Sequence, residues 1–127
     1  MLTLFTAVSL TGCDEDAWFL SSSELCGDWR IVEVTGSYNC NYRPGDYWTF
    51  YTNGGFMAQG YDGLYESGSW DRRGRELYIY FNSYNPEIVA YVRSIDDYYM
   101  VLDVDDYTYQ SSYTLRLVRQ SYYSQHK

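Results

Sequence analysis

The chain has little of what enzymes and nucleic-acid binders rely on. Its one histidine, His126, lies next to the C-terminus, where the packed neighbours that hold a general base in place are scarce. Without a second histidine, no serine or cysteine triad of the usual kind can form. Nine Lys and Arg stand against seventeen Asp and Glu, for a formal charge of −8. The basic footprint that a phosphate backbone needs is therefore missing, and no nucleic-acid partner is expected. No glycine-rich phosphate loop precedes a helix; Gly54-Gly55 falls in a hairpin signal instead. The three cysteines contain no C-x-x-C pair, and no four-ligand zinc set is present. Asp96, Asp97, Asp103, Asp105 and Asp106 could offer hard oxygen ligands. Their spacing fits no EF-hand loop, however, and no glycine supplies its turn. Nor do any two carboxylates stand out as a glycosidase pair. The expectation is no metal, no cofactor, no catalytic residues and no enzyme.

What the chain has in excess is tyrosine. There are 17, beside only 22 Leu, Ile and Val together. That aromatic content excludes disorder, and the scarcity of Ala, Leu, Glu and Lys disfavours a helical bundle. At 127 residues there is room for one domain.

From Gly27 onward, short aromatic and β-branched runs alternate with turn residues. Eight strands are expected: Trp29–Val34, Asp46–Tyr51, Phe56–Tyr61, Leu64–Trp70, Glu76–Phe81, Ile88–Arg93, Tyr98–Val104 and Tyr113–Arg119. Asn53-Gly54-Gly55, Asp62-Gly63 and Arg72-Arg73-Gly74 mark hairpins, because Asn and Gly tolerate positive φ. Short links between successive antiparallel strands make a meander. Eight strands can close into a barrel, which also removes exposed edges. The fold class expected is all-β, an eight-stranded antiparallel up-and-down barrel.

The N-terminus reads as an address. Residues 1–12 are uncharged and apolar up to Leu10, too short to span a bilayer as a helix but suited to a secretory segment. Leu10-Thr11-Gly12-Cys13 resembles the lipobox of bacterial lipoproteins, which implies acylation of Cys13 and a membrane anchor. No Lys or Arg precedes the apolar run, which suggests a start a few residues upstream of Met1. Asp14-Glu15-Asp16 resembles the export signal of Bacteroidetes surface lipoproteins; it reads equally well as a charged linker. Either way the domain is expected outside the cytoplasm, anchored to the outer membrane on its periplasmic or cell-surface side. With Cys13 set aside, Cys26 and Cys40 remain as a pair in an oxidising compartment. A disulfide between them would close a loop of about 15 residues, worth roughly 3 kcal/mol.

Several motifs in order resemble small bacterial lipocalin-like domains. Gly27-Asp28-Trp29 is similar to the G-x-W that opens lipocalins. Tyr47-Trp48-Thr49-Phe50 with Asn53-Gly54-Gly55, Gly68-Ser69-Trp70 with Gly74 and Leu77, and Leu115-Arg116-Leu117-Val118-Arg119 resemble later units. The likeness spans residues 27–119, in a chain shorter than full lipocalins and without their C-terminal helix. It implies that Trp29 sits at the closed end of the barrel with Arg119 packed over its ring, a favourable cation–π pairing. The division expected is a signal segment (1–12), an acylated Cys with acidic and serine linker (13–24), the barrel (25–119) and a tail (120–127).

Two binding modes follow. Using Trp29 as the inward reference, Ile31 and Glu33 follow it inward. By family-like phase Trp48, Phe50, Trp70, Leu77, Ile79, Met100, Leu102, Leu115 and Leu117 also point in. Glu33, Trp48, Phe50 and Trp70 are then candidates to line a pocket for a small, largely apolar ligand, unless bulky side chains fill the lumen. Alternatively Tyr47, Tyr51, Tyr78 and Tyr80 form an outer aromatic face for a protein or a glycan, with the barrel as scaffold.

Overall fold

A computed structural model describes residues 22–36, 40–60, 63 and 65–121. Cys13, His126, Tyr61 and Leu64 lie outside the described residues. One helical turn, α1 (Ser22–Leu25), leads into eight strands. They are β1 (Gly27–Thr35), β2 (Tyr47–Phe50), β3 (Gly55–Gln59), β4 (Tyr65–Arg73), β5 (Glu76–Tyr80), β6 (Ile88–Ile95), β7 (Tyr99–Asp106) and β8 (Ser111–Ser121). Each pairs antiparallel with its neighbour in sequence, and β8 returns to β1, closing an up-and-down barrel. All eight expected strands are present, with ends shifted by a few residues. Ser22 and Ser23, which read as linker, belong instead to α1.

Period-two alternation builds the wall. On β5, Leu77 and Ile79 are fully buried while Tyr78 and Tyr80 stay half-buried outside. On β7, Met100, Leu102 and Val104 point in, and on β8 Tyr113, Leu115 and Leu117 do the same. Three register shifts interrupt the pattern: where Asp28 and Trp29 meet β8, between Ile31 and Glu33 on β1, and between Val92 and Ser94 on β6. An extra residue shifts every following side chain to the other face.

The bulge on β1 corrects one expectation. Glu33 does not follow Trp29 and Ile31 into the lumen; it stands outside, paired with Arg116 at 3.0 Å. Val34 turns inward in its place and packs on the core.

Gly68 carries a steric duty on β4. A Cβ there would lie 2.0 Å from the Tyr80 carbonyl oxygen and 3.1 Å from the Phe81 ring. This close approach lets Phe81, just past β5, fold against Phe56 with ring centroids 5.9 Å apart. Only a residue without a side chain fits such a crossing.

Candidate functional site

The lumen is filled. Trp29, Ile31, Trp48, Phe50, Leu77, Ile79, Ala90, Val92, Met100, Leu102 and Leu115 are all 0% exposed. No water-sized void therefore adjoins them. Trp48, Phe50 and Phe56 pack edge to face on one another with centroids 5.2–6.5 Å apart, a preferred aromatic geometry. Of the four candidate ligand-lining residues, Trp48 and Phe50 are inward but enclosed. Trp70 is half-buried against Phe50 at 5.4 Å, its Nε1–H donating to the Tyr51 carbonyl at 3.0 Å. Glu33 is outside the barrel altogether.

One end of the barrel is closed by α1 and a clamp. The Trp29 indole donates to the Leu25 carbonyl at 2.8 Å. The Arg119 guanidinium lies 4.1 Å from the Trp29 ring centroid, within cation–π range. It also donates to the carbonyls of Asp97 (2.9 Å), Cys26 (2.7 Å) and Glu24. One planar fork thus ties together α1, the entry to β1, the β6–β7 turn and β8.

The opposite mouth is plugged by the loop between β1 and β2. Tyr42 is buried there, edge-on to Trp48 at 5.1 Å, with its hydroxyl donating to Glu66 at 3.3 Å. Tyr113 donates to the buried Asp106 carboxylate at 2.8 Å, and the Asp106 side chain also accepts the Thr108 and Tyr109 amides. Burial, reinforced by the neighbouring carboxylates, pushes both phenols far above their ordinary range. These contacts order the hairpin and the plug. The Trp48 Nε1–H is buried without an acceptor.

The two cysteines are free thiols, contrary to the expected disulfide. Cys26 lies at the clamped end, where its carbonyl meets Arg119. Cys40 lies at the plugged mouth beside Tyr113. Arg119 and Tyr113 are six residues apart on one strand, or about 20 Å, whereas a disulfide needs Cα atoms within about 7 Å. The Cys26 thiol donates to the Ser22 carbonyl and the Cys40 thiol to that of Tyr42, both at 3.3 Å. Burial pushes both thiols up.

The aspartates considered for calcium disperse as well. The Asp96 side chain accepts the Tyr98 and Tyr99 amides in the β6–β7 turn, Asp106 faces inward at the far end of β7, and Asp105 faces out. Among the described residues, no three His, Cys, Asp or Glu converge in an arrangement suited to a metal ion.

The outer wall holds the remaining candidates. Tyr47, Tyr51, Tyr78 and Tyr80 are all half-buried. Tyr51 and Tyr80 share a row, with Gly55 and Ser69 on the strands between them, a span of about 14 Å. Tyr78 donates to Glu76 at 2.6 Å, which raises its phenol, and lies under Arg73 at 5.6 Å.

A groove of about 310 Å³ runs instead across the outside of β5 to β8. Register places Glu76, Tyr91, Asp103 and Thr114 in one row and Tyr78, Val89, Asp105 and Ser112 in the next. Their polar groups are held by one another. Ser112 donates to Asp105 at 2.7 Å and Thr114 to Asp103 at 2.9 Å. Arg93 grips Asp103 with two bonds of 3.0 and 2.5 Å, holding that carboxyl below its usual range. Tyr91 stands 45% exposed, with Arg75 at 5.9 Å from its ring.

Sequence reasoning passed over Tyr91 and its neighbours. The signal was available in the alternation of Ile88, Ala90 and Val92, which turns Val89 and Tyr91 outward. The chain matches no protein-family model and no curated protein.

Proposed function

We propose that this chain is the folded part of a lipid-anchored, extracytoplasmic binding protein of the small lipocalin-like type. Its partner is recognised on the outer wall, and the barrel serves as a rigid scaffold. The observation that carries this reading is the filled lumen: side chains with no exposed surface leave nothing for a guest to touch. The outer groove, at about 310 Å³, has the size of a small binding site. No residue is assigned a catalytic role. The anchor rests on Leu10-Thr11-Gly12-Cys13, and an outer-membrane location on the acidic residues that follow.

Native mass spectrometry of the protein purified from its own host tests the binding mode. The expected spectrum shows the chain, with its lipid, and no apolar guest. A stoichiometric small molecule that is lost when Trp48 is substituted would overturn the outer-wall reading. Metabolic labelling with an alkynyl fatty acid tests the anchor: label on the wild type and none on Cys13→Ser is expected.

A second reading, a small apolar ligand inside the barrel, has one observation in its favour. The buried Trp48 Nε1–H lacks an acceptor, as a donor awaiting a ligand would. Entry requires the Tyr42 plug to leave its place against Trp48.

A further inference from the structure

The outer groove has a chemistry narrow enough to name a ligand class. Its floor offers one exposed aromatic ring, Tyr91, beside the apolar Val89. Its walls offer the carboxylates of Glu76, Asp103 and Asp105 and the hydroxyls of Ser112 and Thr114. Three ligand types could meet such a surface: a cation, an apolar segment or a neutral polyol.

A cation gains from uncompensated negative charge, and here two arginines stand against the three carboxylates. Arg93 holds Asp103 in a two-bond grip and Arg75 stands over Tyr91. Only about one charge is left over, and it is spread on exposed groups, where attraction is weak. An apolar segment would bury three carboxylates against a surface that cannot hydrogen-bond to them, which is costly. A neutral polyol avoids both penalties. Its hydroxyls donate and accept at once, and here each acceptor sits beside a donor: Asp105 beside Ser112, Asp103 beside Arg93 and Thr114. A carboxylate has about four acceptor sites, so one bond from Ser112 leaves Asp105 open to ligand hydroxyls. A sugar ring also has an apolar C–H face suited to an aromatic plane of the Tyr91 kind. The internal bonds hold these groups in place before a ligand arrives, which lowers the ordering cost of binding.

We propose that the groove across β5 to β8 binds a neutral saccharide, with one ring stacked on Tyr91 and its hydroxyls bonded to Asp103, Asp105 and Ser112. This inference rests on the outer-wall reading and makes it specific.

The test is a titration of the purified full chain with cellohexaose, maltohexaose, mannohexaose and chitohexaose, followed by amide NMR and calorimetry. Hexalysine is the cationic comparison. At least one oligosaccharide is expected to shift Tyr91 and its strand neighbours, with affinity unchanged between low and high salt. Tyr91→Ala should weaken binding about tenfold while Tyr91→Phe retains it, as the loss of one stacked ring predicts. Asp105→Asn, which keeps an acceptor oxygen, should cost a saccharide little but a cation its counter-charge. Tyr91 is exposed on the outer wall, so these variants should keep the wild-type melting temperature. Hexalysine binding at the groove with no saccharide response overturns the saccharide and leaves the outer-wall reading standing. Saccharide shifts centred on the Trp48 indole overturn both readings, and saccharide binding insensitive to Tyr91→Ala overturns the groove assignment alone. A flat response to every probe overturns the saccharide assignment.

Discussion

Removing Arg119 should unlatch one end of the barrel. In Arg119→Ala, the buried strand entry loses the donor to the Cys26 carbonyl at 2.7 Å, and Trp29 loses a cation 4.1 Å from its ring. A buried carbonyl left unpaired costs about 1–3 kcal/mol. A partly desolvated cation–π contact is worth about 1 kcal/mol. The bonds to Glu24 and Asp97 are at exposed sites, where water replaces most of their value, leaving about 0.5 kcal/mol together. The expected loss is about 3 kcal/mol, a fall in melting temperature of roughly 10–15 °C for a domain of this size. Arg119→Lys keeps the charge but not the fork and should lose about half as much. Thermal and urea melts followed by circular dichroism read the change. Arg116→Ala is the control on the same strand, since its exposed pair with Glu33 should be worth less than about 1 kcal/mol. If Arg119→Ala costs no more than Arg116→Ala, the clamp is not what closes that end.

Gly68→Ala should destabilise by about 3 kcal/mol or more, because the added Cβ meets backbone, not a yielding side chain; urea melts check this, and a loss below about 1 kcal/mol would show that β4 and β5 can part freely. Mass spectrometry after alkylation in denaturant without reductant should find Cys26 and Cys40 each modified once, and a reductant should leave the melting temperature unchanged. At high pH the buried phenols set the sign: Tyr42 and Tyr113 titrate above their ordinary value of 10.0 when folded. Their stabilisation is therefore full below about pH 10 and is lost as pH rises above it, since the unfolded chain then holds fewer protons. An ultraviolet phenolate titration should release these two only as the circular dichroism signal collapses. Ionisation of all phenols before unfolding would refute their burial.

Much of this molecule was legible along the chain. Alternation at period two depends only on the geometry of one extended strand. Counted from Trp29 it turned Ile31 into the core, and the phase implied by the family-like motifs did the same for Trp48, Phe50, Leu77, Ile79, Met100, Leu102, Leu115 and Leu117. The turn residues marked the hairpins, and the order of short links implied a meander that closes on itself. The pairing of Arg119 with Trp29, implied by the family-like motifs at the two ends of the domain, is present in the structure.

What the chain did not encode were distances and exposures that depend on how the strands meet; the disulfide and the inward place of Glu33 failed on this ground. Cys26 and Cys40 are close in sequence, yet β1 between them carries the chain from the clamped end to the plugged mouth. Glu33 lost its inward place to a bulge set by pairing with β8, a non-local event that no single strand encodes. The four named tyrosines are half-buried while Tyr91 is exposed, because exposure depends on which side chains the neighbouring strands place alongside. The sequence by itself determined which residues belong to strands and, between bulges, which face each one presents, since both are local properties of the backbone. The tertiary structure alone decided whether the lumen was full and where an open surface lay. Those outcomes sum the volumes and registers of eight strands that meet only when the barrel closes.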